Sequence, residues 1–336
     1  MSLPEQFGHM FPRLEYWVVD TLTALLEGPR ARGAFLLRSV LEPPWSVRVE
    51  DRAPLTLLAM IRGDGWLCPD AVQPAPLQPG DVAILSGPDA YTVADDPDTP
   101  PRAVIHPGQQ STTPDGQSLC DTMDLGVRTW GDRPDGSTIM LTGTYQLDSE
   151  ISQRLLRALP ASLVVSRDEL DCPFPGLLAD EVVKDAPGQE VVLDRLLDLL
   201  LIATLRTWFS RRESAAPAWY RAQSEPVVGP ALQLLHANPA HPWTVGELAT
   251  RVGVSRAGLA RRFTELIGEP PMSYLAGWRL ALAADLLREP DLTLDAIAHR
   301  VGYGGAFALS TAFKRVRGVS PREHRLAAEP QARLPG

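Results

Sequence analysis

Cysteine is scarce in this 336-residue chain, and the three present, Cys68, Cys120 and Cys172, are odd in number and far apart. No pair has the spacing of a zinc site, and the set does not make a disulfide framework. They read as scattered, partly buried thiols, with redox sensing by one of them left open. Histidine is equally thin before residue 226, where only His9 and His106 occur, so no mononuclear metal site and no cofactor is expected. Long apolar runs are missing as well. The stretch from Leu196 to Leu205 is interrupted by Asp194, Arg195, Asp198 and Arg206, and the first residues lack a basic segment followed by an apolar one. No membrane span and no signal peptide are expected, which places the protein in the cytoplasm.

What the chain does have is one pattern written twice, about fifty residues apart. The first copy runs Thr244, Leu248, Ala249, Val252, Gly253, Ser255, Leu259, Phe263, Gly268; the second runs Thr293, Ile297, Ala298, Val301, Gly302, Gly305, Leu309, Phe313, Gly318. Each reads as a helix-turn-helix. Thr244 with Glu247 makes a capping box, Gly253 permits a left-handed turn, and Ser255 caps the next helix. At about 100° per residue, Leu259, Phe263 and Leu266 share one face of that helix while Ala257, Arg261 and Thr264 share the opposite one. In the second copy Thr293 caps, Asp295 sits in the first turn, and Leu309, Phe313 and Val316 form the inward stripe. Phe307, Thr311 and Lys314 point away, flanked by Ser310 and Arg315. Between the copies, Pro271 to Arg288 predicts an amphipathic helix roughly 27 Å long at about 1.5 Å per residue. That length suits two recognition helices about one DNA turn apart.

Charge divides the same way. From residue 226 onward about 13 Lys and Arg face about 9 Asp and Glu, a net of about +4. The whole chain carries −9, so the part before residue 226 is acidic at about −13. A basic reader attached to an acidic domain is the asymmetry expected of a nucleic-acid-binding regulator.

With these residues in hand, the segment from about Pro226 to Arg325 resembles the DNA-binding domain of the AraC/XylS transcription regulators. The matching strings are Trp243-Thr244-Val245, Leu259-Ala260-Arg261-Arg262-Phe263, Trp278-Arg279, Ala312-Phe313-Lys314-Arg315 and Gly318-Val319-Ser320-Pro321. The resemblance implies base contacts from Ala257, Ala260 and Arg261 in the first reader and from Ala306, Phe307, Ser310 and Thr311 in the second. With Ser255, Arg256, Thr264, Lys314 and Arg315 these make the expected DNA-binding set. The chain departs from the family pattern at Gly305, where a capping Ser is common, at Thr311, where Arg is common, and at Ala306, where a polar residue is common. The second reader is therefore poor in hydrogen-bonding groups. Two ways of binding stay open for it: thymine methyls met by Phe307 and Thr311, or a grip on the backbone by Lys314 and Arg315.

The region from Thr21 to Tyr145 reads as short strands broken by Gly and Pro. They are Ala34 to Val40, Ser46 to Val49, Leu55 to Arg62, Asp81 to Leu85, Tyr91 to Val93, Ala103 to His106, Thr122 to Arg128 and Thr138 to Tyr145. Such spacing predicts a jelly roll or barrel. The order Pro44-Trp45, Gly63-Asp64-Gly65, Gln78-Pro79-Gly80-Asp81 and Ser86-Gly87-Pro88 resembles the cupin sensor domain of one AraC-type subfamily. Tyr91 stands where a ligand His is usual. An effector pocket is expected near Trp45, Met60, Tyr91 and His106.

Helices are expected over Asp148 to Ala158 and Gln189 to Arg212. The family usually dimerises through the longer one, which points to Leu196 and Leu200, although packing on its own barrel is an open alternative. The fold class is thus α+β and multidomain: a cupin-like barrel over 1–147, helices over 148–212, a linker over 213–229, an all-α double helix-turn-helix over 230–326 and a tail over 327–336. The expected function is a sequence-specific transcription regulator, preferably an activator. Its expected partners are double-stranded DNA, RNA polymerase, a small-molecule effector and a second copy of itself. A DNA-tethered cupin enzyme and a barrel that serves as a protein-interaction scaffold are the alternatives.

Overall fold

The computed structural model describes residues 35–145, 149–211 and 216–328. Expectations placed on His9, on Ala34 and on the tail beyond 328 fall outside them. The chain divides into two compact units between Ala216 and Pro217.

The N-terminal unit contains β1 (Phe35–Leu41), β2 (Ser46–Val49), β3 (Leu55–Arg62), β4 (Gly65–Pro69), β5 (Ala75–Leu77), β6 (Val82–Ser86), β7 (Tyr91–Ala94) and β8 (Ala103–His106). It continues with β9 (Gln110–Thr112), β10 (Thr129–Gly131), β11 (Thr138–Tyr145), α1 (Glu150–Leu156), β12 (Ser162–Val165), α2 (Phe174–Val182) and α3 (Gln189–Ser210). The strands form two six-stranded sheets, ordered β10-β1-β11-β3-β6-β12 and β5-β4-β7-β2-β8-β9. Neighbours run antiparallel except β1 with β10 and β2 with β8. One core cluster draws on both sheets, with Leu58, Met60 and Met140 from the first and Val47, Leu67 and Val93 from the second. This is the barrel that strand spacing predicts, with the sheets facing each other as the resemblance to a cupin domain implies.

β3 is buried from Leu55 to Met60, where its sheet is covered on both faces, and approaches solvent at Ile61 and Arg62. Leu58 and Met60 point into the barrel core, while α2 packs against β1 and β3. α3 passes β11 at Gly143. A Cβ on Gly143 would lie 2.7 Å from a methyl of Leu197, so a larger residue there would require that side chain to shift, and the Tyr145 hydroxyl donates to the Leu197 carbonyl at 3.0 Å. The Gln78-Pro79-Gly80-Asp81 string has a structural use: the Asp81 carboxylate accepts from the backbone N–H groups of Gln78 and Arg167, both at 2.9 Å.

One expected strand is corrected. Thr122 to Arg128 is a series of turns: the Asp124 carboxylate caps the Gly126 N–H, Gly126 takes a positive φ, and the Thr129 N–H closes onto the Gly126 carbonyl. The strand begins only at Thr129. β4, β5, β9 and β12 were not expected; β5 and β9 have three residues each, and β4 and β5 carry Pro.

The C-terminal unit is helical: α4 (Ala218–Ala222), α5 (Val228–Ala237), α6 (Val245–Arg251), α7 (Arg256–Ile267), α8 (Pro271–Leu286), α9 (Leu294–Arg300), α10 (Ala306–Arg317) and α11 (Pro321–Ala328). It has two cores. Leu232, Leu248, Leu259 and Phe263 pack with Tyr274 and Leu275 from the start of α8, and Ile297, Leu309 and Phe313 pack with Leu280, Ala284 and Leu287 from its end. α8 thus serves both cores, one from each end. The stretch expected as linker is partly folded into the first core, since Ala222, Val227 and Val228 are buried there. Ala327 and Ala328, expected in the tail, close α11.

Candidate nucleic-acid interface

The two helix-turn-helix copies share their first-helix cap and their turn. Thr244 and Thr293 accept from the Glu247 and Ala296 N–H groups at 3.1 and 3.2 Å. Gly253 and Gly302 turn at φ 73° and 83°, and the next helix is tied back by Val254 N–H to Ala249 O and Tyr303 N–H to Ala298 O. Phe263 meets Tyr274 edge-on at 5.7 Å, and Phe313 meets His324 at 5.4 Å. Burying Leu259 and Phe263, and in the second copy Leu309 and Phe313, contributes about 1.5–3 kcal/mol per side chain and fixes which face of α7 and α10 turns outward.

On α7 that outward face carries Arg256, Ala257, Arg261 and Thr264, all exposed, with Ala260 half-buried beside them. Ser255 caps the helix through Gly258 N–H at 3.1 Å, so its hydroxyl is engaged. The Thr264 hydroxyl donates back to the Ala260 carbonyl at 2.8 Å. Arg261 lies alongside Glu265 at 3.4 Å, one turn on, a pair weak enough at the surface to be exchanged for a base or a phosphate. Arg262 turns to Glu225 at 3.7 Å.

On α10, Phe307 is 86% exposed and presents its ring on the outward face. Thr311 donates its hydroxyl to the Phe307 carbonyl at 3.0 Å, leaving its methyl as the group that meets a neighbour. Lys314 and Arg315 are exposed in the last turns, while Ala306 and Ser310 are half-buried. The missing Ser cap is replaced from another helix. Gly305 adopts φ 155°, ψ 174°, a region glycine alone occupies readily, and the Asp295 carboxylate of α9 accepts the Ala306 N–H at 3.1 Å. Its other oxygen faces His299 at 3.4 Å. Sequence reading placed Asp295 at its own helix's N-terminus but missed this second cap, which only the turn between α9 and α10 brings about.

Two arginines of the scaffold were also not singled out for what they do. Arg279 donates to the carbonyls of Pro239 and His241, both at 2.7 Å, and burial lowers its pKa from the ordinary arginine value. Arg325 donates to the carbonyls of Leu287 and Leu292, holding α11 against the end of α8.

Inside the barrel a cavity of about 40 Å³ lies between the sheets. Of the four expected pocket residues, only Tyr91 lines it. Trp45 is buried and donates its indole N–H to the Thr138 hydroxyl at 3.2 Å, and His106 bonds Thr112 at 2.9 Å at a strand end. Met60 fills the core and borders a separate depression with Arg167 and Cys172. The residue that was missed is Trp130, on the short β10, where three residues leave no alternation to read. Among the described residues no group of three or more His, Cys, Asp or Glu side chains gathers as metal ligands would, and no helix is long and apolar enough to cross a membrane.

The expected dimer residues need correction. Leu200 is fully buried within its own unit and Leu196 is half-buried. The inward stripe of α3 is Leu193, Leu197, Leu200, Leu201 and Thr204, and the exposed apolar residues are Val191, Val192 and Leu199. A helix apolar on nearly every side does not disclose which stripe its own domain takes.

Known proteins carry the same arrangement. A cupin family model matches residues 20–210 and a helix-turn-helix domain model matches residues 248–327. A putative AraC-like transcription regulator of Streptomyces lividans is 33% identical over 84% of this chain and 90% of its own length. The HTH-type transcriptional regulator AlkR of Acinetobacter baylyi is 32% identical over 56% of this chain and 63% of its own. Among solved structures, an AraC-type DNA-binding regulator from Chromobacterium violaceum is 29% identical over 33% of this chain and 99% of its own, with a TM-score of 0.31. With a cupin domain matched over more than half its length and a full-length relative at that identity, the chain belongs to the AraC-type transcription regulators that join an N-terminal cupin domain to a C-terminal DNA-binding domain.

Proposed function

We propose that this regulator reads DNA with both α7 and α10, and that the cupin domain controls this binding in response to a small molecule. The observation that supports it most is the pair of structurally equivalent helices, each with its inner face buried and its outer face open. Arg261 acts as the base reader of α7 through a bidentate contact to guanine. α10 contributes Phe307 and the Thr311 methyl against thymine, with Lys314 and Arg315 on the phosphates. The protein works in the cytoplasm as an activator with RNA polymerase, in keeping with its family, and its barrel regulates instead of catalysing. It pairs as a homodimer through Val192 and Leu199 of α3. Light scattering of a folded Val192→Glu, Leu199→Glu variant is expected to show a monomer; an intact dimer would place the interface elsewhere. Transcription in vitro from a promoter bearing the selected site is expected to rise with the protein, and repression would reverse the assignment of activator.

A further inference from the structure

α8 joins the two helix-turn-helix copies along the chain, and it is softest at its middle. Leu275 belongs to the first core and Leu280 to the second, and between them lies Gly277, of a residue type that only proline exceeds in weakening a helix interior. A second connection crosses at the same height. Arg279 reaches from α8 to the loop between α5 and α6, where its guanidinium donates to the carbonyls of Pro239 and His241, both at 2.7 Å. Its planar fork spans the two acceptors at once. That loop belongs to the first copy, since the Trp243 indole N–H closes it onto the Asn238 carbonyl at 2.9 Å and Trp243 packs in the first core.

The turn of the second copy packs into the same place. A Cβ on Gly302 would fall 2.7 Å from the Ala240 carbonyl oxygen, 2.8 Å from the Ala240 Cα and 2.8 Å from a guanidinium nitrogen of Arg279. Two of these three atoms are backbone, so no side-chain movement makes room. The matching glycine of the first copy supplies the comparison. Gly253 has nearly the same φ, 73° against 83°, yet nothing among the described residues lies within 4 Å of where its Cβ would be. Both turns call for glycine by their backbone, and only the second uses the missing side chain to approach the other half of the domain.

We infer that Arg279 and Gly302 clasp the two helix-turn-helix halves into one body, which makes Arg279 a positioning residue for the spacing at which α7 and α10 meet DNA. This rests on the reading that both helices bind. One base pair inserted between two contacted blocks moves one of them by about 3.4 Å and about 35° around the duplex. A rigid pair of readers loses a block on that change, and a loose pair follows it.

The test is competition binding by the full-length protein between its selected two-block site and the same site with one base pair added or removed between the blocks. Wild type is expected to prefer the selected spacing by about tenfold or more. Arg279→Met and Gly302→Ala are expected to cut that preference to about threefold or less, with the bases chosen inside each block unchanged. Arg279→Lys keeps the stem and the charge, loses the fork, and should fall between; circular dichroism identifies the folded variants, and this mildest change keeps the test open where the others unfold. Gly253→Ala strains an equivalent turn with no neighbour to displace, and should keep the wild-type spacing preference. Wild type indifferent to the added base pair would overturn the inference, as would an unchanged preference in the folded Arg279 variants. Equal relaxation by Gly253→Ala and Gly302→Ala would trace the effect to turn strain and overturn it too. A single selected block in wild type would instead remove the reading that both helices bind, and the spacing role with it.

Discussion

Arg261 is the one long donor at the middle of the outward face of α7, and it lies beside a surface glutamate one turn away. Arg261→Ala is expected to lose about 1–3 kcal/mol of specific binding and to relax the preference at a single base pair, as read by selection of sites from random DNA. A motif unchanged by the substitution would remove Arg261 from the base readers. At the same scale the three thiols are unequal. Hydrogen bonding with the backbone and hydroxyl of Ser111, then with Ser118, lowers the pKa of the exposed Cys120 thiol, whereas burial raises those of Cys68 and Cys172. A lowered pKa means more thiolate at a given pH. Iodoacetamide at neutral pH should therefore label Cys120 first, with a rate that reaches its plateau at lower pH than the other two, and mass spectrometry showing Cys172 labelled first would contradict this. Composition alone gave no means of ranking the three, because the serines that set them apart act through a turn.

The second recognition helix depends on a cap that its own sequence lacks. Asp295→Ala removes the acceptor for the Ala306 N–H without touching the outward face of α10, and is expected to cost about 0.5–2 kcal/mol and to speed hydrogen exchange at Ala306. Exchange there at the wild-type rate would mean that the helix holds without Asp295. Replacing Lys314 and Arg315 by Ala is expected to act differently: specific and nonspecific DNA should weaken together, and the salt dependence should flatten by about one to two units of slope. Weakening confined to the specific site would make them base readers. The legibility of elements follows the same division. The helix starts at Thr244, Ser255 and Thr293 could be read because each cap is local, a side chain bonding an N–H three residues on. The cap on α10 spans eleven residues and a turn, and no local rule finds it. Strands such as Ser46–Val49 and Ala103–His106 were read to the residue, while β10 was missed because the strand itself is only three residues long.

At the scale of the molecule, the repeat carried most of what could be known in advance. Two copies in register, joined by one long helix, were read from the residues, and the structure adds that Leu275 and Leu280 on α8 sit in two separate cores. The interior of the barrel was harder to read, since its cavity is lined from seven strands and the loops beside them, and sequence proximity says little about which side chains meet there. Tyr91 was found; Trp130 was not. The most direct test of the account is selection of bound sites from random double-stranded DNA by the full-length protein. Two conserved blocks centred about one helical turn apart on one face of the duplex are expected, one of them losing a single preferred base with Arg261→Ala. A single block, or no enrichment at all, would contradict a regulator that reads DNA with both helices.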